Sequence, residues 1–329
     1  MSRIRRILIA VKELGGKPSP AILKGAQLAR ALGAQVDLFH ALAEPLNDDP
    51  SFTSGKPLAD LEGELRQNAL RRLEAIAGRM RAHSIKVTVG ADWDYPAHEA
   101  IIRRAMRVGA DLVIAAGHPT RHVLPSILRL TDWELVRHCP VPLLLVKDRH
   151  AYRHPAVLAA IDPGHAHGKP PALDRQILRL GKVFSTALRG RLHAVHAYAP
   201  FPAVIPPEGI SPHTLQAVRR EADRAARKRL ARVLRLHPVA RVRQHLLPQS
   251  PIDAIAQSAR ESKSSIVVMG AISRSGYKRL LIGNTAERIL DDLSCDILVV
   301  KQEGFQTRVP RASRGMQVWS ISPFPVISF

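Results

Sequence analysis

The chain has 329 residues, about two domains' worth, and 46% of them are hydrophobic against 23% charged. That balance supports two buried cores and excludes a collagen, a coiled coil or a wholly disordered polypeptide. Lys and Arg outnumber Asp and Glu by 49 to 28, and the resulting formal charge of +21 is a field that draws phosphates, nucleic acid or anionic lipid.

The first segment, MSRIRRILIAV, places arginines before apolar residues as a leader would, but the run 7–11 stops at Lys12 and Glu13, too short for a leader's apolar core. Short β-branched and leucine-rich runs then alternate with stretches of helical period, the pattern of βαβ units and a parallel sheet. In the first half the strand-like runs are 6–11, 35–40, 86–89, 111–116 and 142–146. Between the second and third of them Leu58, Leu61, Leu65, Ala69, Leu73, Ile76 and Met80 recur every three or four residues, which predicts a helix over 58–81 with one buried stripe. The second half repeats the order, with strands over 156–161, 191–196, 242–247, 265–269 and 296–300 and helices near 171–187, 212–235, 251–262 and 284–293. No run of 18 apolar residues occurs, so no transmembrane segment is expected and the cytoplasm is the expected location.

The halves also match in places at an offset near 153 to 156: VDLFHA against LHAVHA, YPAHEAI against SPIDAIA, LVIAAG against IVVMGA. This is an internal duplication. The expected architecture is α/β, two tandem flavodoxin-like domains packed as a pseudo-dimer, each with a five-stranded parallel sheet flanked by helices. They span 1–150 and 151–304. Residues 305–329 hold three arginines and no acid and read as an appended tail, poorly ordered alone. In such sheets ligands bind beyond the carboxyl ends of the strands at the switch point, so functional residues should follow strands one and four of each half.

After the fourth strand of the second half the chain reads MGAISRSGYKRLLIGNTAERIL, residues 269–290. A strand, a small-residue loop and a helix start together present backbone N–H groups and a positive dipole end to an anion. Met269 and Gly270 open the loop, Gly270 admitting a close approach to the backbone, and Gly283, Asn284 and Thr285 mark the helix start. Plain turns and an N-cap account for the same residues.

The segment resembles the G-x2-G-x9-G-[ST] signature of the universal stress protein family, in which the loop wraps the ribose and phosphates of ATP. Gly270 matches the first glycine and Gly283 the last; Ser273 stands at the second glycine and Asn284 at the Ser or Thr, with Thr285 following as a substitute. The resemblance covers residues 1 to about 303 as two domains, most like the tandem E-type members, which the run GNTAE at 283–287 resembles. It implies a nucleotide-binding stress-response or signalling module whose second domain holds ATP or another adenine nucleotide. Asp162, in AAIDPG, stands where the family places an aspartate near adenine and ribose, and Ala197 where a main-chain group meets the base. An Asp before Pro-Gly is also an ordinary turn former.

The equivalent first-half stretch, from Gly117, has Thr120 and Leu130 at the second and last glycine positions, Pro119 and Pro125 stiffening the path, and Lys12 in place of Asp162. No ATP site is expected there.

Catalytic motifs are missing: no G-x-S-x-G, H-E-x-x-H or G-x-x-x-x-G-K-[ST] occurs. The chain therefore reads as a binding protein, with slow ATP hydrolysis as one alternative. His165 and His167, like His118 and His122, lack the further convergent ligands a metal needs, so no metal is expected beyond magnesium accompanying the nucleotide. The two cysteines, Cys139 and Cys295, precede the last strand of each half and suit packing better than a disulfide framework or a nucleophile.

The charge divides as +6 over 1–150, +12 over 151–304 and +3 in the tail. Its densest run, 219–235, has Leu215, Val218, Ala222, Ala226, Leu230 and Val233 as the buried stripe of a helix, so its arginines face water. Nucleic acid or an anionic surface on that helix is the alternative to a nucleotide partner, and a homodimer is a further expectation.

Overall fold

The computed structural model describes residues 3–42, 58–117, 126–164, 171–200, 211–235, 237–271, 289 and 292–313. The first half contains β1 (Arg6–Ala10), α1 (Pro20–Leu32), β2 (Gln35–Leu42), α2 (Leu58–Arg81), β3 (Val87–Trp93), α3 (Ala97–Val108), β4 (Leu112–Ala116), α4 (Ser126–His138) and β5 (Leu143–Val146). In the second half lie β6 (Ala156–Ala160), α5 (Pro171–Ala187), β7 (Arg191–Ala197), α6 (Pro212–Leu234), β8 (Gln244–Leu247), α7 (Pro251–Glu261), β9 (Ser264–Gly270) and β10 (Asp296–Val300). Ser-Pro pairs start three helices: the Ser19, Ser211 and Ser250 hydroxyls accept from backbone N–H groups of the first turn, and the proline that follows lacks an N–H where none is needed.

Ten strands form one sheet in the order β3-β2-β1-β4-β5-β10-β9-β6-β7-β8. Within each half every pairing is parallel and the order is third, second, first, fourth, fifth, so the strand order reverses between the first and fourth strands. The halves meet through one antiparallel pair, β5 with β10, with Leu144 opposite Leu298. First-half strands therefore run opposite to second-half strands, and the two switch points open on opposite edges of the sheet.

One apolar cluster on each face spans both halves. Ile7, Ile9, Leu38, Leu73, Val157, Ile177, Phe184 and Val268 pack under α1, α2, α5 and α6, while Leu8, Phe39, Ile102, Val113, Leu158, Val267 and Ile297 pack under α3, α4 and α7. Where the halves join, Lys24 of α1 is buried with its Nζ 2.6 Å from Asp296 Oδ2 of β10. The Tyr152 hydroxyl donates to the same oxygen, and the N–H groups of Lys147 and Asp148 donate to Asp296 Oδ1 at 2.8 and 3.0 Å. With all these donors the buried carboxylate is fully solvated by protein.

Two local expectations change. The third strand extends to Trp93, and the run from 242 opens with a 3₁₀ turn, so β8 begins at Gln244. The helix expected over 284–293 lies largely outside the described residues. The start of the tail touches the globule: Val309 is buried in the second cluster, the Lys301 ammonium sits 4.8 Å over the Phe305 ring, and Arg103 Nη1 donates to Pro310 O, while most of residues 306–313 are exposed. The Val309 contact is long-range, and composition does not reveal it.

Candidate functional site

The switch point of the second half lies between the carboxyl ends of β6 and β9. The parallel ladder fixes which residues emerge there: Ile161 N donates to Val195 O, so Asp162 leaves β6 just as His196 and Ala197 end β7, and Ala271 N donates to Val300 O, bringing Gly270 to the edge beside β10. Asp162 is half-buried, and its N–H donates to Asp174 Oδ1 of α5 at 3.0 Å. That bond holds the Asp-Pro-Gly turn, leaving the Asp162 carboxylate at the rim. Four of the expected site residues, Asp162, Ala197, Met269 and Gly270, are therefore on the described strand ends; Ser273, Gly283, Asn284 and Thr285 lie outside the described residues.

Two of the four have their side-chain positions taken by packing. The Met269 side chain is buried in the cluster under α7, so only its main chain faces the edge. A Cβ on Gly270 would lie 2.7 Å from Leu173 Cδ2 and 3.4 Å from Ile177 Cδ1 of α5, so α5 fills the space the glycine leaves.

His196 is a site residue the sequence reading passed over. It is buried, its Nδ1 has no hydrogen-bond partner among the described residues, and burial lowers its pKa while the nearby Asp162 carboxylate acts the other way. The neutral imidazole thus keeps one ring nitrogen unsatisfied at the crevice. Its repeat-mate His40 makes a 2.7 Å bond from Nδ1 to Val11 O, and the His196 ring likewise meets the backbone of Ile161, the residue equivalent to Val11, but leaves Nδ1 over. The aligned FHA and VHA tripeptides contained this signal.

In the first half the ladder corrects one match. Gly117 N donates to Val146 O as Ala271 N does to Val300 O, and Ala116 pairs with Val146 as Gly270 pairs with Val300. Ala116 is therefore the counterpart of Gly270, and Gly117 lies one residue beyond. Lys12 is exposed at the place of Asp162. Thr120, Pro119, Pro125, His118 and His122 lie outside the described residues, as do His165 and His167 of the second half.

Among the described residues no group of three or more His, Cys, Asp or Glu side chains could hold a metal ion. Burial pushes both the Cys139 and Cys295 thiols up to about 12, so they are neutral packing groups. Helix α6 buries Ala226, Leu230 and Leu234, and its arginines are exposed, Arg224 and Arg227 paired with Glu221 and Asp223. No helix among the described residues is long and apolar enough to cross a membrane.

The profile of the universal stress protein family matches residues 3–147 and again 156–301. The chain is 24% identical over 317 residues to universal stress protein E of Photorhabdus laumondii, covering 93% of this chain and 98% of the relative. To universal stress protein E of Escherichia coli it is 28% identical over 227 residues, 68% of this chain and 71% of that one. Among solved structures, a functionally unknown protein of Pseudomonas aeruginosa superposes with a TM-score of 0.66 at 24% identity, covering 91% of this chain and 92% of that one. A universal stress protein of Archaeoglobus fulgidus gives 0.56 at 14%, covering 89% and 98%. At these identities the structural likenesses speak for the fold alone. The twofold profile match and the single ten-stranded duplicated sheet give the conclusion: this chain belongs to the universal stress protein family, as a tandem protein of the E type.

Proposed function

We propose that the second half binds one adenine nucleotide, ATP foremost, and that the protein acts in the cytoplasm as a nucleotide-dependent stress-response module. The observation behind this reading is the arrangement at the β6–β9 switch point. A rim carboxylate, Asp162, whose turn is held from α5, stands beside the end of β9, from which the loop with Gly283, Asn284 and Thr285 departs. The donor set suits such a ligand. A carboxylate accepts from ribose hydroxyls, the main chain around Ala197 meets a base edge, and the orphaned His196 Nδ1 is a polar atom awaiting a partner. Magnesium would accompany the polyphosphate rather than occupy a protein site of its own.

The first half lacks the carboxylate, having Lys12 instead, and serves as the packing partner. Mass spectrometry of small molecules released from natively purified protein tests the reading; an adenine nucleotide is expected, and its yield should fall to background in Gly283→Val.

A further inference from the structure

Helix α6 adds a cation to this crevice. The Cβ position of Gly164 lies 3.6 Å from Asp162 Oδ1 and 3.8 Å from Arg229 Nη1, so carboxylate and guanidinium flank the turn after β6. Arg224 and Arg227 on the same helix are engaged by Glu221 and Asp223, whereas Arg229 has no carboxylate within ion-pair distance among the described residues.

The duplication contains the same arrangement. The buried stripe Ala69, Leu73, Ile76 and Ala77 of α2 recurs as Ala226, Leu230 and Leu234 of α6 with the partly buried Val233, which puts Arg72 and Arg229 at one helical position, each just before a buried leucine. Arg72 Nη1 lies 4.0 Å from the Cβ position of Gly15, in the loop after β1. In both halves the crossover helix anchors that leucine in the core, and the preceding arginine leans over the carboxyl end of the first strand. The halves differ in the residue that follows the first strand: Asp162 in the second, Lys12 in the first.

We propose that Arg229 is the phosphate-binding side chain of the second-half site, its planar fork donating to the polyphosphate of a nucleotide whose ribose hydroxyls Asp162 accepts. This rests on the nucleotide reading given above and adds to it a source of phosphate affinity outside the glycine loop. Arg72, in the half that has Lys12 where the second half has Asp162, is its internal control.

Adenosine, AMP and ATP are titrated calorimetrically into wild type, Arg229→Ser, Arg229→Lys and Arg72→Ser, with matched thermal melts, since these exposed side chains bear no core packing. Arg229→Ser should weaken ATP about ten- to a hundredfold, the worth of a charged hydrogen bond, with adenosine unchanged. Arg229→Lys should fall between, and Arg72→Ser should match wild type. Wild-type ATP affinity in Arg229→Ser would overturn this assignment and leave the nucleotide reading standing. Equal losses for adenosine and ATP would overturn it too, making Arg229 a support of the loop. A wild-type protein that binds none of the three would overturn the nucleotide reading and the assignment together.

Discussion

Among the described residues Gly190 is the glycine least able to accept a side chain, because a Cβ there would lie 2.0 Å from Pro155 O, a backbone atom that cannot swing aside. Gly190→Ala is expected to cost about 3 kcal/mol or more, read as a lowered urea midpoint with an unchanged slope. Gly270 is a milder case, since its Cβ would meet the end of the Leu173 side chain. The sequence offered Gly270 as a place for a ligand to approach the backbone; packing against α5 also favours a glycine there, and that partner lies almost a hundred residues away. Half-buried His98, stacked on His138, has its pKa lowered to about 4 by desolvation, against the pull of Glu134 and Glu99. The unfolded chain therefore takes up this proton first, near the ordinary value of 6.5, and stability present at pH 7 is lost as the pH falls from about 6.5 to about 4. The urea midpoint should drop between pH 7 and pH 5, and drop less in His98→Gln.

At the scale of elements, α3 and α7 occupy the same place in the two halves and solve it differently. Arg103 of α3 is buried and bonds both oxygens of Asp94 at 2.7 Å and Glu99 Oε2 at 2.9 Å. Removing the guanidinium would take the bidentate ion-pair partner from the buried Asp94 carboxylate and one partner from Glu99, so Arg103→Met is expected to cost about 3–5 kcal/mol, measured by denaturant unfolding. Nearby, Asp37 of β2 binds the Arg104 guanidinium, which lies over Gly90 of β3, whereas β7 and β8 put the stacked pair His193 and His245 on their strands. Strands and helices were legible because hydrophobic period is a local signal. The ion-paired triad was not, since it depends on which side chains a strand end and a helix bring face to face. The Gly117 match failed for a related reason: motif spacing tolerates a one-residue slip, whereas the ladder to β5 fixes the register.

For the whole molecule, the duplication yields one sheet rather than two separate ones. The β5–β10 pair and the buried Lys24–Asp296–Tyr152 cluster tie α1, the connecting segment and the last strand together. Because the halves run antiparallel, the candidate nucleotide crevice and its degenerate counterpart face opposite ways, and one ligand cannot bridge them. The +21 charge is likewise resolved by position: exposed arginines on α6, one of them leaning over Asp162, and a basic tail whose first residues pack on the globule. The most direct measurement is calorimetric titration of ATP into the ligand-free full chain and into Gly283→Val. The account predicts one site per chain in the wild type and none in the variant. Two sites per chain, no binding, or binding unaltered by Gly283→Val would contradict it.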